Sequence, residues 1–417
     1  MDILRITTAG SVDDGKSTLI GRLLYDTRSI TADKLDAIEI TSKRKGLDFT
    51  DLSLLTDGLI AEREQGITID VAHIYFSTPA RKYIIADTPG HVEYTRNMIT
   101  GASNASLSMI LVDARKGVIE QTRRHFYIAS MLRIKHVVVC VNKMDLVEYE
   151  ESVFEKIKAD FNAITSKAGF EGQEVEFIPV AAKDGDNIVF SSLNMPWYKG
   201  ETLLEFLENT TAGKTHENLP SRFAVQYVIR PHKHEFHDFR GYAGRVSSGF
   251  FRTGDEVTIL PSLKTSKIKD ILFYDQKTKK AVAKQSVVIT LEDDVDLSRG
   301  NMLVKKEDQV SQLNELNAVI CWMEEAPMVT EKMYLLQHGV NRVKAKISSV
   351  QTVLDIHTLE SHVDKKTFQL NDIGEVRLRL AKPIFADAYD FNPANGSFIL
   401  IDEFSHNTVA VGFIKTK

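Results

Sequence analysis

A phosphate-binding loop near the start of the chain constrains the fold more than any other feature. It runs from Gly10 to Ser17 and matches the pattern Gly-x-x-x-x-Gly-Lys-Ser. Residues 4–8 before it have the composition of a strand, and residues 17–24 after it carry apolar side chains at helical spacing. This order of strand, loop and helix is the context in which such a loop binds a polyphosphate at the positive end of a helix. The sequence therefore predicts an α/β domain with a nucleotide site at its first loop.

The loop residues have separate expected roles. Gly10 and Gly15 allow backbone N–H groups to curl around an anion, Lys16 can reach the terminal phosphates, and the Ser17 hydroxyl can ligate Mg²⁺. The two acidic neighbours of the phosphates are counted with the binding residues, and they either point outward or help to hold a monovalent cation; they are Asp13 and Asp14.

The choice of base depends on a second motif, since the loop alone fits ATP or GTP. Asn142, Lys143 and Asp145 follow the apolar run 136–141, which is typical of a buried parallel strand. A carboxylate at Asp145 can accept from both N1–H and the 2-amino group of guanine, two donors that adenine does not present together. Asn142 is expected to brace the loop and the Lys143 stem to cover the ring. This motif favours GTP.

Three further motifs supply the remaining candidates. Asp87 is expected to hold Mg²⁺ through water, Gly90 to approach the γ-phosphate and His91 to orient the attacking water. Thr68 is a candidate second magnesium ligand, and the N–H of Ala182 a donor to guanine O6. The alternatives are a solvated loop histidine for His91 and an ordinary strand threonine for Thr68. All the motifs occur in GTPase order, mostly at the carboxyl ends of predicted strands, where open α/β sheets bind ligands.

Composition limits the other classes of function. A chain of 417 residues is long enough for two or three cores, and a net charge of −5 argues against nonspecific nucleic-acid binding. Cys140 and Cys321 both lie in apolar stretches, which indicates neither a disulfide framework nor a metal site. No signal peptide or membrane-spanning run is expected, and so we expect a cytoplasmic protein.

The pattern of predicted secondary structure changes at about the middle of the chain. Strands and helices alternate up to about residue 209, whereas short alternating strands separated by turns follow from residue 213. The predicted fold is an α/β P-loop GTPase domain with a mostly parallel sheet, followed by two all-β barrel domains. The predicted bounds are 1–212 for the GTP-binding domain, 213–306 for the first barrel and 307–417 for the second.

A cluster of histidines in the first barrel has two interpretations. His232, His234 and His237 alternate on one stretch, with Glu235 and Asp238 beside them, and His-x-His spacing can ligate zinc. A fourth ligand and a closed geometry are not evident. A polar connecting loop is the favoured interpretation.

The motifs and their order resemble the translation-factor class of GTPases. Elongation factors of that class carry a histidine where Asp14 stands, and they lack several runs of this chain. Those runs resemble the GTPase subunit of the two-subunit bacterial ATP sulfurylase, or sulfate adenylyltransferase, over essentially the whole chain; they are residues 19–26, 55–63, 112–117 and 238–244.

The resemblance implies a function and a partner. In that family, GTP hydrolysis on the large subunit drives the formation of adenosine 5′-phosphosulfate and pyrophosphate from ATP and sulfate on a small catalytic subunit. It also implies that Thr18 joins Gly15, Lys16 and Ser17 in holding the phosphates. The alternative is an elongation-factor-like GTPase that acts with tRNA and the ribosome. The sequence leaves open the partner interface, its stoichiometry, the hydrolysis rate and the coupled step.

Overall fold

The computed structural model describes most of the chain. The described residues are 2–44, 46, 50–55, 70–89, 95–211, 216–231, 239–274 and 276–415. They form two units. Residues 1–213 and 355–360 belong to the first, and residues 214–354 and 361–417 to the second.

The first unit is built on a six-stranded sheet in the order β2-β3-β1-β4-β5-β6. Strand β2 runs antiparallel to β3, and the other neighbours are parallel. The strands are β1 (Ile3–Ala9), β2 (Ala72–Ser77), β3 (Lys82–Asp87), β4 (Leu107–Asp113), β5 (His136–Asn142) and β6 (Glu174–Pro179). The helices are α1 (Lys16–Asp26), α2 (Ala32–Arg44), α3 (Thr95–Ala102), α4 (Glu120–Met131), α5 (Glu151–Ala168) and α6 (Leu203–Asn209).

The centre of this sheet is formed by strands that are buried on both faces. Every residue of β4 and β5 is buried, as expected for parallel strands covered by helices. Helix α1 packs an apolar face, including Leu19 and Leu23, into the same core. Because β1, β4 and β5 are neighbours and parallel, the loops that follow them meet at one edge of the sheet.

The second unit contains two antiparallel sheets that close on themselves. The first has the order β10-β15-β7-β8-β14-β11-β12 and is closed by pairing of β10 with β11. The second has the order β17-β21-β22-β16-β20-β18-β19 and is closed by pairing of β17 with β18. A separate two-stranded antiparallel sheet is formed by β9 and β13, whose residues lie between strands of the first barrel in the sequence. Each barrel encloses its own apolar core.

The strands of these barrels are mostly short. Those of the first barrel region are β7 (Arg222–Ile229), β8 (Gly241–Ser248), β9 (Phe250–Arg252), β10 (Glu256–Leu260), β11 (Lys264–Phe273), β12 (Gln276–Thr278), β13 (Lys280–Val282), β14 (Ser286–Leu291) and β15 (Met302–Lys305). Those of the second are β16 (Ser311–Trp322), β17 (Met333–His338), β18 (Asn341–Asp355), β19 (Glu360–His362), β20 (Ile373–Ala386), β21 (Ser397–Asp402) and β22 (Thr408–Ile414). The predicted fold class, an α/β GTPase domain followed by two β-barrels, is confirmed.

Two smaller findings complete the fold. Cys140 and Cys321 are both buried and unbridged, and burial raises the pKa of the Cys140 thiol to about 12. No helix within the described ranges combines the length and the apolar character needed to cross a bilayer.

Candidate functional site

The loop between β1 and α1 is held in a compact turn by its own hydrogen bonds. The Ser11 N–H donates to Asp14 Oδ2 at 2.6 Å, and the Asp14 N–H donates back to the Ser11 carbonyl at 3.2 Å. Lys16 Nζ donates to the Gly10 carbonyl at 3.1 Å, so its side chain lies across the loop. The turn therefore ends at the first residue of α1, where backbone N–H groups and the helix dipole favour an anion.

The Asn142 side chain joins three loops at the edge of the sheet. Its Nδ2 donates to the Asp14 carbonyl at 2.8 Å, and its Oδ1 accepts from the Ala182 N–H at 3.0 Å. Lys143, the next residue, donates from Nζ to the Asp13 carbonyl. The predicted bracing role of Asn142 corresponds to these bonds. Ala182 donates to Asn142 in this structure, and its role as a donor to guanine O6 remains a prediction.

Asp145 lies half-buried just beyond these contacts. Burial raises the pKa of this carboxyl, and the nearby Asp184 and Asp186 carboxylates raise it further. Hydrogen bonds to a carboxylate favour its charged form. Two N–H donors from a guanine would therefore lower this pKa again and gain binding free energy from doing so.

Asp87 ends strand β3 beside the start of the phosphate loop. It is paired in register with Thr8 of β1, and Thr8 Oγ1 donates to Asp87 Oδ1 at 2.7 Å. Thr88 Oγ1 donates to the Thr8 carbonyl, which ties the end of β3 to the end of β1. Asp87 at the end of β3 and Ser17 in the first turn of α1, the helix that follows β1, offer a carboxylate and a hydroxyl. These are oxygen ligands suited to Mg²⁺.

The turn that follows β4 takes part in this site, although sequence reasoning assigned it no role. Asp113 accepts from Arg115 Nη2 at 2.7 Å and from Lys143 Nζ at 3.0 Å. Burial alone would raise the pKa of Asp113, yet the bonds from Arg115 and Lys143 hold it well below its usual range. Lys116 Nζ lies 3.8 Å from Asp14 Oδ1. The available sequence signal was a carboxylate directly after a buried strand, at the binding edge of a parallel sheet.

Gly15 is expected to be intolerant of any side chain. Its φ is +93°, and a Cβ would lie 2.4 Å from Asn142 Nδ2. Gly15→Ala therefore combines backbone strain with loss of the Asn142 bond to the loop, and we expect GTP binding to weaken about 100-fold in a fluorescence titration. Gly172→Ala is the matched control, because Gly172 has a φ of +83° with open space around it. Equal losses of affinity in the two variants would contradict this account.

Several predicted residues lie outside the described ranges. Thr68, Gly90 and His91 belong to this group, as do the histidines between residues 232 and 238. The described residues do bring together the phosphate loop, Asp87, Asn142, Lys143 and the Ala182 turn.

Comparison with known proteins gives a consistent result. The family model described as the elongation factor Tu GTP binding domain matches residues 1–213. A GTP-eEF1A C-terminal domain-like model matches residues 315–415. Sulfate adenylyltransferase subunit 1 of Cellvibrio japonicus is 50% identical over 415 residues, covering 99% of this chain and 86% of that protein.

Two further relatives agree. Sulfate adenylyltransferase subunit 1 of Bacteroides thetaiotaomicron is 50% identical and also covers 99% of this chain and 86% of its own length. The bifunctional enzyme CysN/CysC of Mycobacterium tuberculosis is 47% identical, covering 99% of this chain and 67% of its own.

The chain belongs to the sulfate adenylyltransferase subunit 1 family.

Membership of the subunit 1 family confirms the main functional prediction from the sequence. The chain is a GTPase subunit of sulfate adenylyltransferase, and the translation-factor alternative is not supported. The GTP-binding domain also bears out GTP as the nucleotide. The individual site residues stay predictions.

Proposed function

We propose that GTP hydrolysis on this chain drives the synthesis of adenosine 5′-phosphosulfate and pyrophosphate from ATP and sulfate on a separate small catalytic subunit. The carrying observation is the joined pair of loops, in which Asn142 links the guanine motif directly to the phosphate loop. Family membership connects this GTP site to sulfate activation. The coupling has a physical reason, because a phosphosulfate anhydride is a thermodynamically poor product and a second favourable hydrolysis pulls the reaction forward.

Nucleotide binding uses the loop residues in the roles expected from the sequence. The backbone from Gly10 to Thr18 cradles the phosphates, and Lys16 moves from the Gly10 carbonyl to the terminal phosphates when GTP enters. Asp145 accepts from the guanine edge, while Lys143 covers the ring. Asp13 and Asp14 shape the loop through their carbonyl groups, which accept from Lys143 and Asn142.

Magnesium is the metal that the residues fit. Ser17 and Asp87 would hold it, with Thr68 as a ligand that engages when the γ-phosphate is bound. Hard oxygen donors, a hydroxyl and a buried carboxylate, support this assignment. A bound Mg²⁺ ion would neutralise part of the negative charge of the phosphates.

Hydrolysis proceeds by in-line attack of water on the γ-phosphate. His91 orients the water, the Gly90 N–H contacts the γ-phosphate, and Lys16 with the loop N–H groups stabilises the charge on the phosphate oxygens. Positioning and charge neutralisation supply most of the rate. Loss of the γ-phosphate then releases Thr68 and Gly90, which signals the nucleotide state to the partner.

The partner is the small catalytic subunit of sulfate adenylyltransferase, and the complex is expected in the cytoplasm. The relatives carry the designation subunit 1, which supports the existence of a second subunit. Linkage requires that, if GTP favours the complex, the small subunit tightens GTP binding by the same factor.

The test is the initial rate of phosphate release by the chain with its small subunit, with and without ATP and sulfate. We expect ATP and sulfate together to stimulate phosphate release. Lys16→Ala is expected to lower that release by about 10²–10³-fold, because the lysine contacts the transferred group and stabilises its charge. Lys135→Ala is the control, because that lysine pairs with Glu174 at the opposite end of β5 and β6. Stimulation by ribosomes and aminoacyl-tRNA instead would overturn the proposal.

A further inference from the structure

The turn after β4, residues 113–117, connects the guanine motif to the phosphate loop. On one side, the Ala114 N–H donates to the Asn142 carbonyl at 2.8 Å and Asp113 Oδ2 lies 3.0 Å from Lys143 Nζ. The turn is closed by the Gly117 N–H, which donates to the Asp113 carbonyl at 2.9 Å. On its other side, the turn extends Lys116 to the phosphate loop. These contacts hold the Lys116 backbone in place by fastening it to β5.

Lys116 pairs with Asp14, and a buried carboxylate is an unusual group to find in a phosphate-binding loop. Asp14 is 1% exposed, and one of its carboxylate oxygens is used by the Ser11 N–H. The other oxygen, Oδ1, has no hydrogen-bond partner within the described part of the chain. Lys116 Nζ, 3.8 Å away, is the cation that forms an ion pair with this oxygen. A buried negative charge this close to a bound polyphosphate is unfavourable unless a cation offsets it.

The other charged groups around Asp14 do not replace Lys116 as the cation that offsets its charge. Lys16 attracts the Asp14 carboxylate, but Lys16 is also the residue expected to contact the phosphates. Asp113 repels the Asp14 carboxylate. Burial raises the pKa of Asp14 despite the Ser11 bond and the two lysines. Lys116 is the partner that remains beside Asp14 after GTP has engaged Lys16.

We propose that Lys116 is a positioning residue for GTP, which acts through Asp14 by offsetting its charge while the carboxylate holds the Ser11 N–H and thus the shape of the loop. The inference rests on the proposed occupation of the phosphate loop by GTP. It assigns a task to the run 112–117, which distinguishes this chain from elongation factors in its sequence. It also explains how the phosphate loop tolerates a buried aspartate next to a bound polyphosphate, whereas a neutral or cationic side chain would need no cation to offset its charge.

The experiment is a double-mutant cycle on the full-length chain. Dissociation constants for a fluorescent GTP analogue are measured for the wild type, Lys116→Ala, Asp14→Asn and the double variant. Lys116→Ala is expected to weaken binding about tenfold, an intermediate value because Lys116 is partly exposed and Asp14 is buried. In the Asp14→Asn background the same change is expected to have no effect, because no charge remains to offset. Lys116→Arg is expected to retain wild-type affinity.

Further readouts separate positioning from general stability. In GTP hydrolysis, Lys116→Ala is expected to raise KM with little change in kcat, and its melting temperature without nucleotide is expected to match that of Lys135→Ala. An equal loss of affinity in both Asp14 backgrounds would overturn the inference, since Lys116 would then act on the nucleotide directly. Unchanged affinity of Lys116→Ala would overturn it as well. A wild-type chain that binds no GTP would instead contradict the proposed function, so the two failures are distinguishable.

Discussion

Asp387→Ala is expected to lower the free energy of unfolding of the second unit by about 3–5 kcal/mol, because it leaves a buried guanidinium without its counter-charge. Arg222 and Asp387 form a bidentate ion pair, Nε to Oδ2 at 3.0 Å and Nη2 to Oδ1 at 2.9 Å. Their side chains are 0% and 4% exposed. The pair links β7 of the first barrel to the residue that follows β20 of the second.

The surroundings of the pair satisfy its remaining hydrogen-bonding groups. Asp387 Oδ2 also accepts from Nδ2 of Asn392 and Nδ2 of Asn395, both at 2.9 Å. Arg222 donates to the carbonyls of Ser221 and Gln309. Removing the carboxylate therefore takes away four hydrogen bonds at once, two from Arg222 and one each from Asn392 and Asn395. Replacing both Arg222 and Asp387 by apolar side chains of similar shape removes the charge as well and leaves only the two asparagine donors without this acceptor.

Urea unfolding followed by tryptophan fluorescence measures this effect. The chain has two tryptophans, and in a Trp197→Phe background Trp322, buried in the second barrel, reports on the second unit alone. Asp294→Ala is the matched control: it also removes a carboxylate from an arginine, Arg240, but its side chain is 85% exposed. We expect that control to cost less than about 1 kcal/mol. Arg222→Met/Asp387→Leu is expected to recover much of the loss, and a double variant as unstable as Asp387→Ala would contradict the account.

Asp145→Asn is expected to weaken GTP binding by about 10³-fold or more, since a site built on hydrogen bonds rejects a ligand that leaves its groups unpaired. The amide oxygen of the variant can accept a hydrogen bond from one of the two guanine donors. Its N–H₂ group then faces the other donor and cannot pair with it. Xanthine presents a carbonyl where guanine has its 2-amino group, so the variant is expected to prefer XTP. Separate titrations with a fluorescent XTP analogue and a fluorescent GTP analogue measure the switch in the wild type and the variant.

The control for this prediction is Asp184→Asn. Asp184 is an exposed neighbour that raises the pKa of Asp145, so its substitution removes a nearby charge without changing the groups offered to the base. We expect it to alter GTP affinity by less than about threefold, as for other exposed charges. A comparable shift toward XTP in both variants would show that local charge, rather than hydrogen bonding at Asp145, selects the base.

Much of the fold and part of the site could be predicted from the sequence because the signals are local. The apolar runs of β4 and β5 identify buried parallel strands, and the phosphate loop follows from one continuous segment. The motifs after β1 and β5, together with Asp87 at the end of β3, also lie at one edge of the sheet as expected, because parallel strands bring their carboxyl ends to the same edge.

The remaining contacts depend on positions far apart in sequence. Arg222 and Asp387 are separated by 165 residues, and neither lies in a pattern that indicates burial or pairing. Lys116 belongs to a short charged run that is typical of a solvated turn, and its pairing with Asp14 follows only from the order of β1, β4 and β5 in the sheet. Tertiary packing determines such pairs, and neither the periodicity of the sequence nor its local motifs predict them.

The end point of the reaction tests most directly whether GTP hydrolysis drives sulfate activation. The chain and its small subunit are given ATP and sulfate, and the final ratio of adenylylsulfate and pyrophosphate to substrates is measured with GTP and with a non-hydrolysable GTP analogue. With GTP we expect this ratio to exceed the equilibrium value of the reaction without GTP, and with the analogue, or with GTP and Lys16→Ala, to reach that value and stop. Equal final ratios with GTP and the analogue would contradict the account, because GTP would then act only as an activator.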